Sequence, residues 1–192
     1  MVALEETENK PCSGLPWGAI IYAAIILAAI ETVLLIRAFV IEPFSIPTES
    51  MCDTIEVGDS VLAEKITLEL GGNVSQGDII VFENPERDPE KDVLCKRVIA
   101  RGGQTVDLKD GSVYIDGKKI AEDYAKGDSY PLYIGKAKRI SYPYKVPEGE
   151  IWVMGDNREN SADSRYFGAI SEDSVIGICV MRHLPVNRID LL

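Results

Sequence analysis

The sequence predicts a mostly β domain behind a single N-terminal transmembrane helix. Trp17 to Ile36 is predominantly apolar, about the 20 residues that cross a bilayer core as a helix. After Phe39 the pattern changes to short β-branched and apolar runs separated by turns. Asp110-Gly111 and Asp116-Gly117 mark tight hairpins, because such turns need positive φ and glycine supplies it cheaply. A chain of 192 residues has room for one such domain and the helix.

Residues 1–16 form a short polar tail in which Glu5, Glu6 and Glu8 face Lys10. Residues 17–38 form the anchor, with Trp17 and Tyr22 suited to one interface and Arg37 able to snorkel at the other. A cleaved signal peptide would have a basic start and a shorter apolar region, and a buried core helix would show a polar face. Glu31 is costly inside the run and implies either a functional partner or a helix tilted to bring it near the interface. With Lys10 before the anchor and Arg37 after it, the positive-inside rule does not orient the chain. Residues 39–192 read as one domain, a barrel or folded sandwich. Strand patterns lie at Val57–Ala63, Asp78–Phe82, Val93–Ile99, Thr105–Leu108, Ser112–Ile115, Glu150–Met154 and Val175–Met181. Within them, 102–149 forms a β-hairpin-rich insertion, and helical turns are confined to Ile66–Leu70 and Ser171–Ser174.

Composition removes whole classes of function. A net charge of −11 argues against a nucleic-acid partner, which needs a basic face. Cys12, Cys52, Cys95 and Cys179 lack CxxC spacing and read as free thiols; whether Cys52 and Cys95 approach one another is left open. His183 is the only histidine, so neither a Ser-His-Asp triad nor a histidine metal cluster is expected, and there is no phosphate-binding loop. No metal or cofactor is called for.

A serine activated by a lysine remains a permissible arrangement. That lysine must be neutral to accept a proton, a fall from about 10.4 toward 7 or 8 that costs roughly 4 kcal/mol and is usually achieved by burial. Lys96 is the best candidate, since strand alternation sets Leu94 and Val98 on its face and turns Arg97 away. On pattern alone, a snorkelling edge lysine is the commoner reading. The segment Glu42 to Thr54 supplies Ser50; Pro43 and Pro47 hold it extended, as an edge beside a cleft or an ordinary linker would be.

The blocks Ile46-Pro-Thr-Glu-Ser-Met51, Gly77-Asp-Ile-Ile-Val-Phe82, Cys95-Lys-Arg-Val-Ile99 and Gly155-Asp-Asn-Arg-Glu-Asn-Ser-Ala-Asp-Ser-Arg-Tyr-Phe-Gly168 follow in order. In sequence and spacing they resemble the boxes of the bacterial type I signal peptidases, and the short chain is similar to the Gram-positive members. The last block is the most specific. The resemblance implies a signal-peptidase-like β fold with Ser50 as nucleophile and Lys96 as general base. It further implies Thr48 as an oxyanion-hole hydroxyl and Ser161 as the hydrogen-bond partner that orients the lysine amine. Asp163, Arg165, Asp156, Arg158 and Arg97 are then expected to hold the last block against the lysine strand. Asp53 stands where the family usually has proline, so the groove there is where the resemblance transfers least.

The implied substrate is a preprotein whose signal peptide ends in small residues of the A-x-A type. Ile46, Pro47, Met51, Ile55, Val81, Leu94 and Cys95 are the candidates to line its binding groove, with the peptide added as an extended strand. The resemblance also implies a single-pass protein of the cell membrane with an extracytoplasmic catalytic domain, in contact with the lipid bilayer and open to contact with the export machinery. Two other readings stay open: a self-cleaving repressor-like serine-lysine protease, and an inactive membrane-tethered binding module.

Overall fold

The computed structural model describes residues 17–86, 92–132 and 139–192. The chain divides into two units, the first ending at Arg37 and the second running Ala38–Leu192. The polar tail and Cys12 lie outside the described residues.

Helix α1 spans Trp17–Phe39 and carries Arg37 in its last turn, where a cation complements the helix dipole. Its Trp17–Arg37 stretch is long and apolar enough to cross a membrane, and none of it is buried. Glu31 sits on this helix with its side chain exposed.

The second unit is built from strands, among the described residues, β1 (Ile41–Ser45), β2 (Ser60–Glu64), β3 (Ile79–Glu83), β4 (Val93–Arg101), β5 (Thr105–Lys109), β6 (Ser112–Ile115), β7 (Lys118–Lys119), β8 (Tyr144–Lys145), β9 (Glu150–Met154), β10 (Ile170–Ser171), β11 (Val175–Leu184) and β12 (Asp190–Leu191). The larger sheet runs β1-β2-β11-β3-β4-β9-β10, with β12 on β11; the smaller runs β7-β6-β5-β8. Every pairing between these strands is antiparallel. Irregular registers in β11 and β4 bend those strands and curl the sheet. In the smaller sheet the two Asp-Gly pairs make the hairpins, with φ of 50° and 72° at Asp110 and Gly111 and 51° and 78° at Asp116 and Gly117. Both central residues at positive φ is the hairpin geometry whose twist matches the strands.

The short helices were only partly legible. Ile66–Glu69 (α2) and the 3₁₀ turn Glu172–Ser174 fall where turns were expected. Helix α3 (Ser164–Phe167) and the 3₁₀ turn Glu49–Met51 were not foreseen, being too short to show a period. Asp163 starts α3 by accepting the Arg165 N–H at its own carboxylate.

Strand β3 is buried on both faces. Ile79 and Val81 join Ile46, Met51, Ile55, Val61, Ala63 and Cys179 on one side. Ile80 and Phe82 join Val98, Ile151, Val153 and Ile170 on the other. A third cluster around Trp152, with Val106, Leu108, Val113, Ile115 and Val146, ties the smaller sheet to β4 and β9.

Candidate active site

Lys96 lies in the middle of β4, directly opposite Ile80 of β3, and only 2% of it is exposed. Its amine donates to Ser50 Oγ at 2.7 Å and to the Cys95 carbonyl at 2.8 Å. Ser50 is held in the Glu49–Met51 turn at 7% exposure, with Thr48 Oγ1 3.4 Å from its Oγ. A serine hydroxyl within reach of a buried amine is the arrangement that lets the amine, once neutral, take the hydroxyl proton.

The Gly155 block pins Ser50 from beneath. The Asn157 N–H donates to the Ser50 carbonyl at 3.1 Å, its Nδ2 donates to the Glu49 carbonyl at 3.1 Å, and Asn160 Nδ2 donates to Glu49 Oε2 at 3.0 Å. Gly155 has no room for a side chain: a Cβ would be 2.6 Å from Ser161 Cβ and would also run into Ser161 Oγ and the Ser50 carbonyl oxygen. Glycine is required there for close approach, not for an unusual φ.

The expected hydrogen bond from Ser161 to Lys96 is not formed. Ser161 Oγ is buried beside Gly155 without a hydrogen-bond partner, while the amine is directed at Ser50 and Cys95.

The charged residues divide into separate networks. Arg97 clasps Asp156 through two bonds of 2.9 and 2.7 Å and also donates to the Gly77 carbonyl, so it joins the lysine strand to the loop; Thr54 Oγ1 donates to the same carboxylate at 2.6 Å. Such a bidentate pair, with Asp156 fully buried, fixes orientation as well as distance. Asp163 and Arg165 instead bond one another, at 2.9 Å, and Asp163 accepts the Gly155 N–H. They brace the loop internally, and among the described residues neither has a hydrogen bond to β4.

The groove residues also separate. Ile46, Pro47, Val81, Leu94 and Cys95 line an apolar cavity of about 280 Å³ together with Phe44 and Thr48. Met51 and Ile55 do not line it. Both are fully buried in the core beneath Ser50, because the turn after it folds back and the Ile55 N–H donates to the Met51 carbonyl at 2.8 Å. A second cavity of about 540 Å³, more polar, opens on Ser50 and Lys96 from the side of Glu49, Asn160 and Ala162.

Cys52, Cys95 and Cys179 are free thiols. Cys95 meets Cys179 rather than Cys52, and a hydrogen bond from Cys179 holds the Cys95 thiol below its ordinary range. The same contact, and then burial, pushes Cys179 up. Among the described residues no cluster of His, Cys, Asp or Glu could hold a metal ion. Asp53 adopts φ 79°, a left-handed conformation closed to proline, and pairs with Lys126 at 3.0 Å. The departure from the family pattern at this position therefore carries its own backbone path.

Gly155 and Asn157 lie inside the most specific sequence block, but the cramped glycine and the backbone bond to Ser50 are visible only in three dimensions.

A family model described as signal peptidase, peptidase S26, matches residues 17–184. The chain belongs to this family. Signal peptidase I T of Bacillus subtilis is 37% identical over 188 residues, covering 96% of this chain and 93% of that protein. A probable signal peptidase I-1 of Synechocystis is 38% identical over 169 residues, covering 85% and 82%. A solved structure of a signal peptidase I from Enterococcus faecalis is 32% identical, with a TM-score of 0.42, covering 55% of this chain and 95% of that one. This signal peptidase family member is a serine peptidase, and α1 makes it a membrane-anchored one.

Proposed function

We propose that the enzyme removes signal peptides from exported preproteins by acyl transfer through a dyad of Ser50 and Lys96. The 2.7 Å contact between a buried amine and the Ser50 hydroxyl, both lining the more polar cavity, which shares Pro47, Thr48 and Leu94 with the apolar one, carries the reading. Neutral Lys96 takes the Ser50 proton while Oγ attacks the scissile carbonyl carbon. The oxyanion so formed is held by the Ser50 N–H and Thr48 Oγ1, where losing one donor typically costs about 10²–10³ in kcat. The protonated amine then gives its proton to the leaving nitrogen as the peptide bond breaks. Water, deprotonated by the same amine, opens the acyl-enzyme and frees Ser50.

Lys96 is almost wholly buried, 2% exposed, which limits the access of water to its amine. Ser161, whose Oγ has no hydrogen-bond partner, is read as the residue that turns to the amine once substrate draws Ser50 Oγ away. The apolar cavity suits small side chains at the end of a signal peptide, entering from an extended strand laid beside Phe44 to Pro47 and Val93 to Cys95.

The single-pass anchor is read as holding residues 39–192 on the extracytoplasmic side of the cell membrane, against the bilayer, where cleavage sites emerge from the export machinery. The 102–149 insertion is read as part of that domain.

The test is cleavage of a peptide spanning an A-x-A junction by the full-length protein in detergent. Wild type should cleave after the junction, while Ser50→Ala and Lys96→Ala should be inactive with unchanged circular dichroism. Activity retained in either variant would remove the dyad assignment, and an inactive wild type would favour the binding-module reading.

A further inference from the structure

Residues 122–129 leave the smaller sheet and run beside the Gly155 block as a strap. Lys126 pairs with Asn157 in a parallel bridge: its N–H donates to the Asp156 carbonyl at 2.7 Å, and the Arg158 N–H donates to the Lys126 carbonyl at 2.8 Å.

Two strap side chains grip arginines of the site. The Glu122 carboxylate accepts from both terminal nitrogens of Arg158, at 3.0 and 2.5 Å, and Ser129 Oγ accepts a third bond. The Tyr124 ring carries the Arg97 guanidinium 4.1 Å from its centroid and that of Arg158 at 5.9 Å. The Tyr124 hydroxyl donates to Glu122 at 3.1 Å. Burial, and then the Glu122 charge, push the phenol up, so the ring stays neutral and its face stays available to a cation.

Each arginine leads back to the nucleophile or the base. Arg158 Nε donates to the Gly155 carbonyl at 3.0 Å, and Gly155 is packed on the Ser50 carbonyl without clearance. Arg97 follows Lys96 on β4 and holds Asp156, whose neighbour Asn157 bonds the Ser50 carbonyl.

We infer that Glu122 and Tyr124 are positioning residues for Ser50 and Lys96, acting through Arg158 and Arg97; the inference rests on the dyad reading above. Arg158 is 2% exposed and has its charge matched by Glu122. Weakening that match frees the guanidinium to leave Gly155, and a shift of about 1 Å at a reacting group can cost about 10²-fold in rate. The apolar cavity shares no residue with the strap, so substrate binding should be spared.

The test is steady-state kinetics of the full-length wild type, Glu122→Gln, Tyr124→Leu and Tyr124→Phe on a junction peptide, with melting temperatures measured alongside. Glu122→Gln and Tyr124→Leu should lower kcat about 10- to 100-fold with KM within about twofold. Tyr124→Phe keeps the ring over Arg97 and should retain kcat within about threefold. An unchanged kcat in folded Glu122→Gln and Tyr124→Leu, or a change confined to KM or to melting temperature, overturns the inference while leaving the dyad intact. A wild type without cleavage overturns both. Should Glu122→Gln fail to fold, the contrast between Tyr124→Leu and Tyr124→Phe decides alone.

Discussion

Gly155→Ala adds a single methyl group at the tightest point of the site. The new carbon would lie 2.6 Å from Ser161 Cβ and would overlap Ser161 Oγ and the Ser50 carbonyl oxygen. Ordinary carbon contacts are about 3.5–4.0 Å, so the neighbours must retreat by roughly 1 Å. Ser50 cannot retreat freely, because the Asn157 N–H holds its carbonyl at 3.1 Å. The displacement is therefore expressed in the geometry between Ser50 and Lys96, where about 1 Å is worth about 10²-fold. That corresponds to about 2.7 kcal/mol of transition-state stabilisation at 1.36 kcal/mol per tenfold. Backbone strain plays no part, since Gly155 is not at positive φ. The assay is kcat on a junction peptide, with circular dichroism to confirm the fold. A folded Gly155→Ala enzyme with kcat within about threefold of wild type would refute the idea that this contact positions the nucleophile.

Other expectations can be checked with the same peptide assay or by thermal melts. Lys96→Arg should be inactive although it keeps a cation, because guanidinium does not give up its proton in this range. Asp156→Ala strands Arg97 and removes the partner of Thr54, both from a buried site. Breaking a buried pair costs about 3–5 kcal/mol, and at 2–4 °C per kcal/mol for a chain of this size that is a melting-temperature drop of roughly 6–20 °C. Asp53→Pro restores the usual family residue yet should lower both activity and melting temperature, because φ of 79° is closed to proline. His183→Ala should leave kcat within about twofold, since the dyad does not use an imidazole; a large loss would revive a histidine-based mechanism.

The β character of residues 39–192, the hairpins at Asp110 and Asp116 and the facing of Lys96 were legible because each depends on local alternation or turn chemistry. The pairing of Ser50 with Lys96 was legible only through the order of the four blocks, since nothing local distinguishes Lys96 from a snorkelling strand lysine. Met51 and Ile55 were misread as groove residues: an apolar side chain near a nucleophile looks the same in sequence whether it faces substrate or core, and here the backbone folds back beneath Ser50. Glu122 and Tyr124 gave no signal at all. Their partners lie 36 residues away for Glu122 and Arg158, and a lone acid and a lone aromatic in a polar loop resemble solvated residues.

Lys96 and Arg97 are neighbours in the chain and opposites in chemistry. On the proposed mechanism one sheds its proton to work, whereas the other keeps its charge to hold Asp156. The pleat of β4 separates them, sending the amine to Ser50 and the guanidinium to the far face. The strand thus acts as an insulator one backbone thick. A one-residue slip between β3 and β4 would exchange the two faces and deliver a permanent cation to Ser50 while leaving composition and hydrophobicity untouched. On the proposed mechanism register in this strand is therefore a condition of catalysis, and a single-residue deletion in the segment before Lys96 should abolish activity as thoroughly as removing the lysine itself.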